Sequence, residues 1–99
     1  MLNIEYLRSA VKEHCRQYRV TRLDLIGSAS RGDFDPERSD FDFIVSFDGQ
    51  DRLFDRFFEF KAALEQAFQR PVDILQPGAI RNPHFRHTIE QDRILLYET

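Results

Sequence analysis

Stretches of helical period alternate along the chain with short β-branched or aromatic runs, and Gly, Pro or Asn marks most changes of period. Ile4, Leu7, Val11, Cys15 and Tyr18 recur at three- and four-residue steps between charged positions, predicting an amphipathic helix over residues 3–18. Val20, Leu23, Leu25 and Ile26 form a short buried strand closed by Gly27-Ser28, and ASRGDFDPERS reads as a loop with a helical turn near Ser28–Arg31. DFDFIVSF is a second strand. Leu53, Phe57, Phe60, Leu64 and Phe68, widened by Phe54 and Phe58, line a helix over 51–69 that Pro71 stops. Val72–Leu75 is a third strand, Asn82-Pro83 starts a last helix carrying Phe85, Ile89 and Asp92, and Ile94–Tyr97 is a fourth, edge strand. That order demands an α/β (α+β) fold: a small mixed sheet with helices packed mainly on one face.

Ninety-nine residues leave room for one domain, 1–99. A net charge of −3 without any Lys/Arg run lacks the footprint of a nucleic-acid binder, so no nucleic acid is expected as a partner. No apolar stretch is long enough to span a bilayer, and MLNIEYLRSAVKEHC has no apolar leader, so the expected setting is the cytoplasm, away from membranes. The single Cys15 sits at a helix-core position and reads as a structural thiol. Ten Phe and no Trp, with many rings between Leu53 and Phe68, leave open that Phe54 or Phe58 belongs to an interface.

Asp40 and Asp42 stand two apart on a strand, so both carboxylates share one face while Phe41 and Phe43 take the other. Two such groups repel, an arrangement that a cation between them would relieve, and oxygen ligands at that spacing suit Mg²⁺. A solvated strand start accounts for the pair equally well. Asp73 is a lone acid within the apolar run Val72–Leu75 and needs a partner: it either pairs with an Arg such as Arg70 or stands at a strand mouth, or it completes a three-carboxylate cluster holding two metal ions. Gly27-Ser28 is either an ordinary turn or, with free N–H groups, the Ser28 hydroxyl and Arg31 about one turn on, a phosphate cradle. His84 and His87 read as a surface pair, His14 as solvated, and Arg52, Arg56 and Lys61 as a solvated helix face with ordinary pairing.

Taken in order, GSASRGDFDPERSDFDFIV resembles the signature of the nucleotidyltransferase superfamily that includes DNA polymerase beta and kanamycin nucleotidyltransferase. The short length, the VDIL strand and the ending RHTIEQDRILLYE are similar to the minimal nucleotidyltransferases, the MNT antitoxins encoded beside HEPN toxins. The loop before Asp40 is about one residue longer than that group's, around Asp35-Pro36. The resemblance implies a polymerase beta-like nucleotidyltransferase fold. It also implies that Gly27 and Ser28, with Arg31 and Ser39, bind a nucleoside triphosphate, that Asp40, Asp42 and Asp73 hold two Mg²⁺ ions, and that Asp73 takes the acceptor's proton.

The implied activity is AMP transfer from ATP to a hydroxyl, a tyrosine of a cognate HEPN ribonuclease toxin, by an antitoxin that forms a hetero-oligomer with it. The alternative is a catalytically silent module that neutralises its partner by occupying it. A free-standing transferase for a small molecule ranks behind both, because 99 residues leave no room for an acceptor domain.

Overall fold

The computed structural model describes residues 3–27, 30 and 40–99. Helix α1 (Ile4–Gln17) starts where the Asn3 side chain accepts the Tyr6 N–H, and its buried stripe is Leu7, Val11 and Cys15. Strand β1 (Val20–Ile26) follows, then β2 (Phe41–Phe47), α2 (Leu53–Phe68), β3 (Val72–Leu75), a 3₁₀ turn (Pro77–Ala79), α3 (Pro83–Asp92) and β4 (Ile94–Glu98). Asn82 caps α3 by accepting the N–H groups of His84 and Phe85, and Pro83 occupies the first helical turn, where no donor is needed.

The sheet runs β3-β2-β1-β4. The β1–β2 and β1–β4 pairs are antiparallel, while β2 and β3, joined through α2, are parallel. The sheet is therefore mixed, and β4 lies on an edge as expected. A register slip opposite Leu23–Asp24 and the Arg8 guanidinium, which donates to the Leu95 carbonyl at 3.0 and 3.2 Å, blunt that edge against further pairing.

Period-two alternation separates two apolar layers. Phe41, Phe43 and Val45 of β2, Val72 and Ile74 of β3, and Leu23 and Leu25 of β1 face α1 and α2, where Phe60 and Leu64 complete the main core. The opposite face carries Ile26 and Ile44, which pack on Ile80 and on Ile89 of α3, with Leu75 at the margin. Among the described residues α1 and α2 thus share one face, and α3 lies on the other.

Three expectations are corrected. Arg56 is not on a solvated face: it is 8% exposed, and its guanidinium donates to the carbonyls of Tyr18, Gly49 and Asp51 while lying over the Phe47 ring. Phe54 and Phe58 do not widen the buried stripe of α2 but stand 75% and 51% exposed, their rings 4.7 Å apart. His14 is half-buried rather than solvated, whereas His84 and His87 are exposed. Cys15 is fully buried, and burial pushes its thiol up to about 12, which leaves it protonated and inert.

Candidate active site

The α3 face of the sheet carries a cleft of about 340 Å³ whose floor includes Ile26, Gly27, Asp42 and Asp73 and whose wall is α3. Strand register assembles the floor. Ile26 pairs with Asp42 across the antiparallel β1–β2 ladder, and Asp42 pairs with Asp73 across the parallel β2–β3 ladder. The end of β1 and the two acids therefore form one row over three neighbouring strands. Parity aims both carboxylates toward α3, because Phe41, Phe43, Val72 and Ile74 on either side point into the main core.

Gly27 ends β1 with φ +77, a left-handed conformation that costs a non-glycine residue about 1–2 kcal/mol. Its Cα also packs against Asp42: a Cβ there would meet the Asp42 Oδ2 at 2.6 Å. Only glycine lets the strand end approach that carboxylate. The turn continues tightly, with the Ser30 N–H and hydroxyl both donating to the Gly27 carbonyl, at 3.1 and 2.8 Å.

Asp40 is exposed just before β2, two residues from Asp42 and outside the cleft lining. Ser28, Arg31 and Ser39, together with the expected helical turn and the Asp35-Pro36 region, lie outside the described residues. Among the described residues, no three His, Cys, Asp or Glu side chains are gathered closely enough to hold a metal unaided. The structure brings Asp42 and Asp73 together and leaves Asp40 on the approach to them. Asp73 itself is exposed rather than buried in its apolar run, so its charge carries no large desolvation cost.

Two further devices hold the site. Glu65 of α2 accepts the Val72 N–H at 3.1 Å, anchoring the residue before Asp73, and Lys61 lies 3.3 Å from the same oxygen. These contacts hold the Glu65 carboxyl below the usual carboxylate range, the Val72 bond first. Asp24 of β1 is fully buried, with Arg22 on one oxygen and Arg93, between α3 and β4, on the other. This ion cluster pins the end of α3 to the sheet and raises the Arg22 pKa, chiefly through the Asp24 hydrogen bond.

Sequence reasoning missed Asp24 and the α3 wall. Phe85, Thr88, Ile89 and Asp92 line the cleft at spacings i, i+3, i+4 and i+7. That stripe was visible as helical periodicity, but it mixes polar and apolar side chains and so does not register as a buried face.

The fold is that of a minimal nucleotidyltransferase. The solved structure of a candidate minimal nucleotidyltransferase superposes with a TM-score of 0.75 at 29% identity, covering 94% of this chain and 95% of that one. The chain belongs to the nucleotidyltransferase domain family, whose model matches residues 7–96. A candidate protein adenylyltransferase of Methanocaldococcus jannaschii is 31% identical over 99 residues, spanning 95% of this chain and 98% of the relative. A chain in the structure of a tri-AMPylated Shewanella oneidensis HEPN toxin in complex with MNT antitoxin matches with a TM-score of 0.65 at 17% identity, covering 98% of this chain and 74% of that one, a likeness of fold. The family resemblance carried by the Gly-Ser and Asp-x-Asp segments thus holds. Among the described residues no helix is long and apolar enough to cross a membrane.

Proposed function

We propose that this nucleotidyltransferase is a protein adenylyltransferase acting as an antitoxin in the cytoplasm: it transfers AMP from ATP to a tyrosine hydroxyl of a HEPN-type toxin with which it forms a hetero-oligomer. The observation that carries the reading is the row formed by Ile26, Asp42 and Asp73 beneath α3, with Gly27 packed against the Asp42 carboxylate. The name of the M. jannaschii relative and the AMPylated toxin in the Shewanella complex supply the acceptor class.

The donor set, carboxylate oxygens alone, fits Mg²⁺. Asp40, Asp42 and Asp73 would hold it, and the bound metal would supply neutralisation of phosphate charge and a lowered acceptor pKa. Gly27 and Ser28, with Arg31 and Ser39 from the same loop, would bind the triphosphate through backbone N–H groups, hydroxyls and a guanidinium. Asp73 would accept the hydroxyl proton as the acceptor oxygen bonds to the α-phosphorus and pyrophosphate departs with its bonding electron pair. Positioning by the rigid sheet would provide most of the acceleration.

A second reading, neutralisation by occupancy alone, draws on the exposed Phe54–Phe58 pair of α2, which lies across the sheet from the cleft. Incubation with α-labelled ATP, Mg²⁺ and a co-encoded HEPN-type protein, beside the Asp40→Ala/Asp42→Ala variant, separates the two. Label on the partner with the wild type only is the expected result. Complex formation without transfer from any nucleotide would overturn the catalytic account and leave occupancy.

A further inference from the structure

We infer that the Arg22–Asp24–Arg93 ion triad is a positioning device for nucleotidyl transfer: it fixes the tilt of α3 over the cleft floor, and with it the width of the cleft, rather than adding stability. Asp24 is fully buried in the middle of β1, where an apolar side chain would serve burial better. Arg22 donates to one of its carboxylate oxygens at 3.2 Å, and Arg93 donates to the other through both Nε and a terminal nitrogen. Taking such charges out of water is so costly that apolar residues in place of a buried ion triad are often neutral or stabilising. A need for stability therefore does not account for these three residues. What charge-assisted bonds to a planar guanidinium supply, and apolar contacts do not, is direction.

Direction is what the apolar packing of α3 leaves open. Its one buried residue is Ile89, set in the small cluster of Ile26, Ile44 and Ile80. Hydrophobic contact is non-directional, so a single buried side chain holds a helix against a sheet without fixing how it tilts or rolls. The ion pair adds the second point, and both of its ends adjoin the cleft. Asp24 stands two residues, about 7 Å, along β1 from Ile26 in the cleft floor, and Arg93 directly follows Asp92 in the cleft wall. The β1–β4 register also slips between Leu23 and Asp24, and bulges of this kind re-aim side chains beside active sites. Phosphoryl transfer gains most of its acceleration from positioning, so a wall displaced by about 1 Å costs on the order of 100-fold in rate.

Asp24→Leu/Arg93→Met removes the triad without leaving a buried charge unpaired, since Arg22 keeps Glu98 at 3.8 Å. Variant and wild type are compared by urea midpoint, by residual dipolar couplings of the ¹⁵N-labelled full chain, and by AMP transfer from ATP to the co-encoded HEPN-type protein. The rate arm alone rests on the proposed function. The double variant is expected to keep a midpoint equal to or above wild type and to change the couplings of the α3 amides while those of β1 and β2 stay. Its kcat should fall about tenfold or more, with KM for ATP within about threefold. Arg93→Lys, which keeps the charge but not the planar fork, should fall between the two in couplings and kcat. A clearly lower midpoint, or a double variant that does not fold, overturns the inference by making the triad an ordinary stabiliser. So do unchanged α3 couplings in a folded variant, and so does a kcat within about twofold of wild type. Wild-type protein that transfers AMP to no partner sinks the proposed function instead, and midpoint and couplings then decide the role of the triad.

Discussion

Gly27 shows how a single missing side chain shapes the site. Its φ of +77 and the 2.6 Å approach of a hypothetical Cβ to the Asp42 Oδ2 are independent reasons for glycine. Gly27→Ala is expected to cost about 1–2 kcal/mol of stability from backbone strain. The larger effect is on activity, because the Asp42 carboxylate must swing aside, and a misplacement of that size costs on the order of 100-fold in rate. Thermal melts beside transfer assays check the split; a rate within a few-fold of wild type would show that Asp42 does not need its present position. Asp42 and Gly27 were both legible in the sequence as a motif. Their mutual contact was not, since it depends on which residues of β1 and β2 stand opposite.

At the scale of elements, the site depends on how α2 and α3 are tied to the sheet. Arg56 and Glu65 both lie on α2, and each ties down a piece of backbone: Arg56 gathers two carbonyls of the β2–α2 turn and that of Tyr18 after α1, and Glu65 holds the first N–H of β3. The folded state keeps the Glu65 carboxyl more acidic than in the unfolded chain, where its pKa is about 4.3. Its contribution is therefore fully present above that value and is lost as pH falls through the lower folded value. Asp51, lowered chiefly by its hydrogen bond from Arg19, acts in the same direction. Urea midpoints from pH 6 to pH 3 should show Glu65→Gln less stable than wild type at pH 6, with the gap closing toward pH 3. A gap that persists at low pH would assign the effect to lost geometry rather than charge. The helices and strands themselves were readable from periodicity and caps, whereas Arg56 in a run of charged residues looks like any solvated position until its carbonyl partners are folded around it.

Across the whole molecule, the sheet has a thick apolar face under α1 and α2 and a thin one under α3, and the cleft occupies the thin one. Truncating the thick layer should be severe: Phe60→Ala removes a fully buried ring and is expected to cost about 3–5 kcal/mol, a large share of the roughly 5–15 kcal/mol that holds such a domain together. Phe58→Ala, two residues away on the same helix, should cost under about 1 kcal/mol because its ring is half exposed. Chemical denaturation of the two variants tests the contrast, and similar losses would mean that the Phe58 face is covered in solution. Periodicity and turn chemistry sufficed to set the order of elements, a local property that adjacent residues dictate, while Asp40, Asp42 and Asp73 were singled out by their places on strands together with the family resemblance. Tertiary structure alone decided that Asp42 and Asp73 share a register, that α3 walls the cleft, that Asp24 and Arg56 are buried, and that Phe54 and Phe58 stay outside. Each of those depends on which distant segment arrives opposite, and the free energy of burying a side chain is settled only when that neighbour is in place.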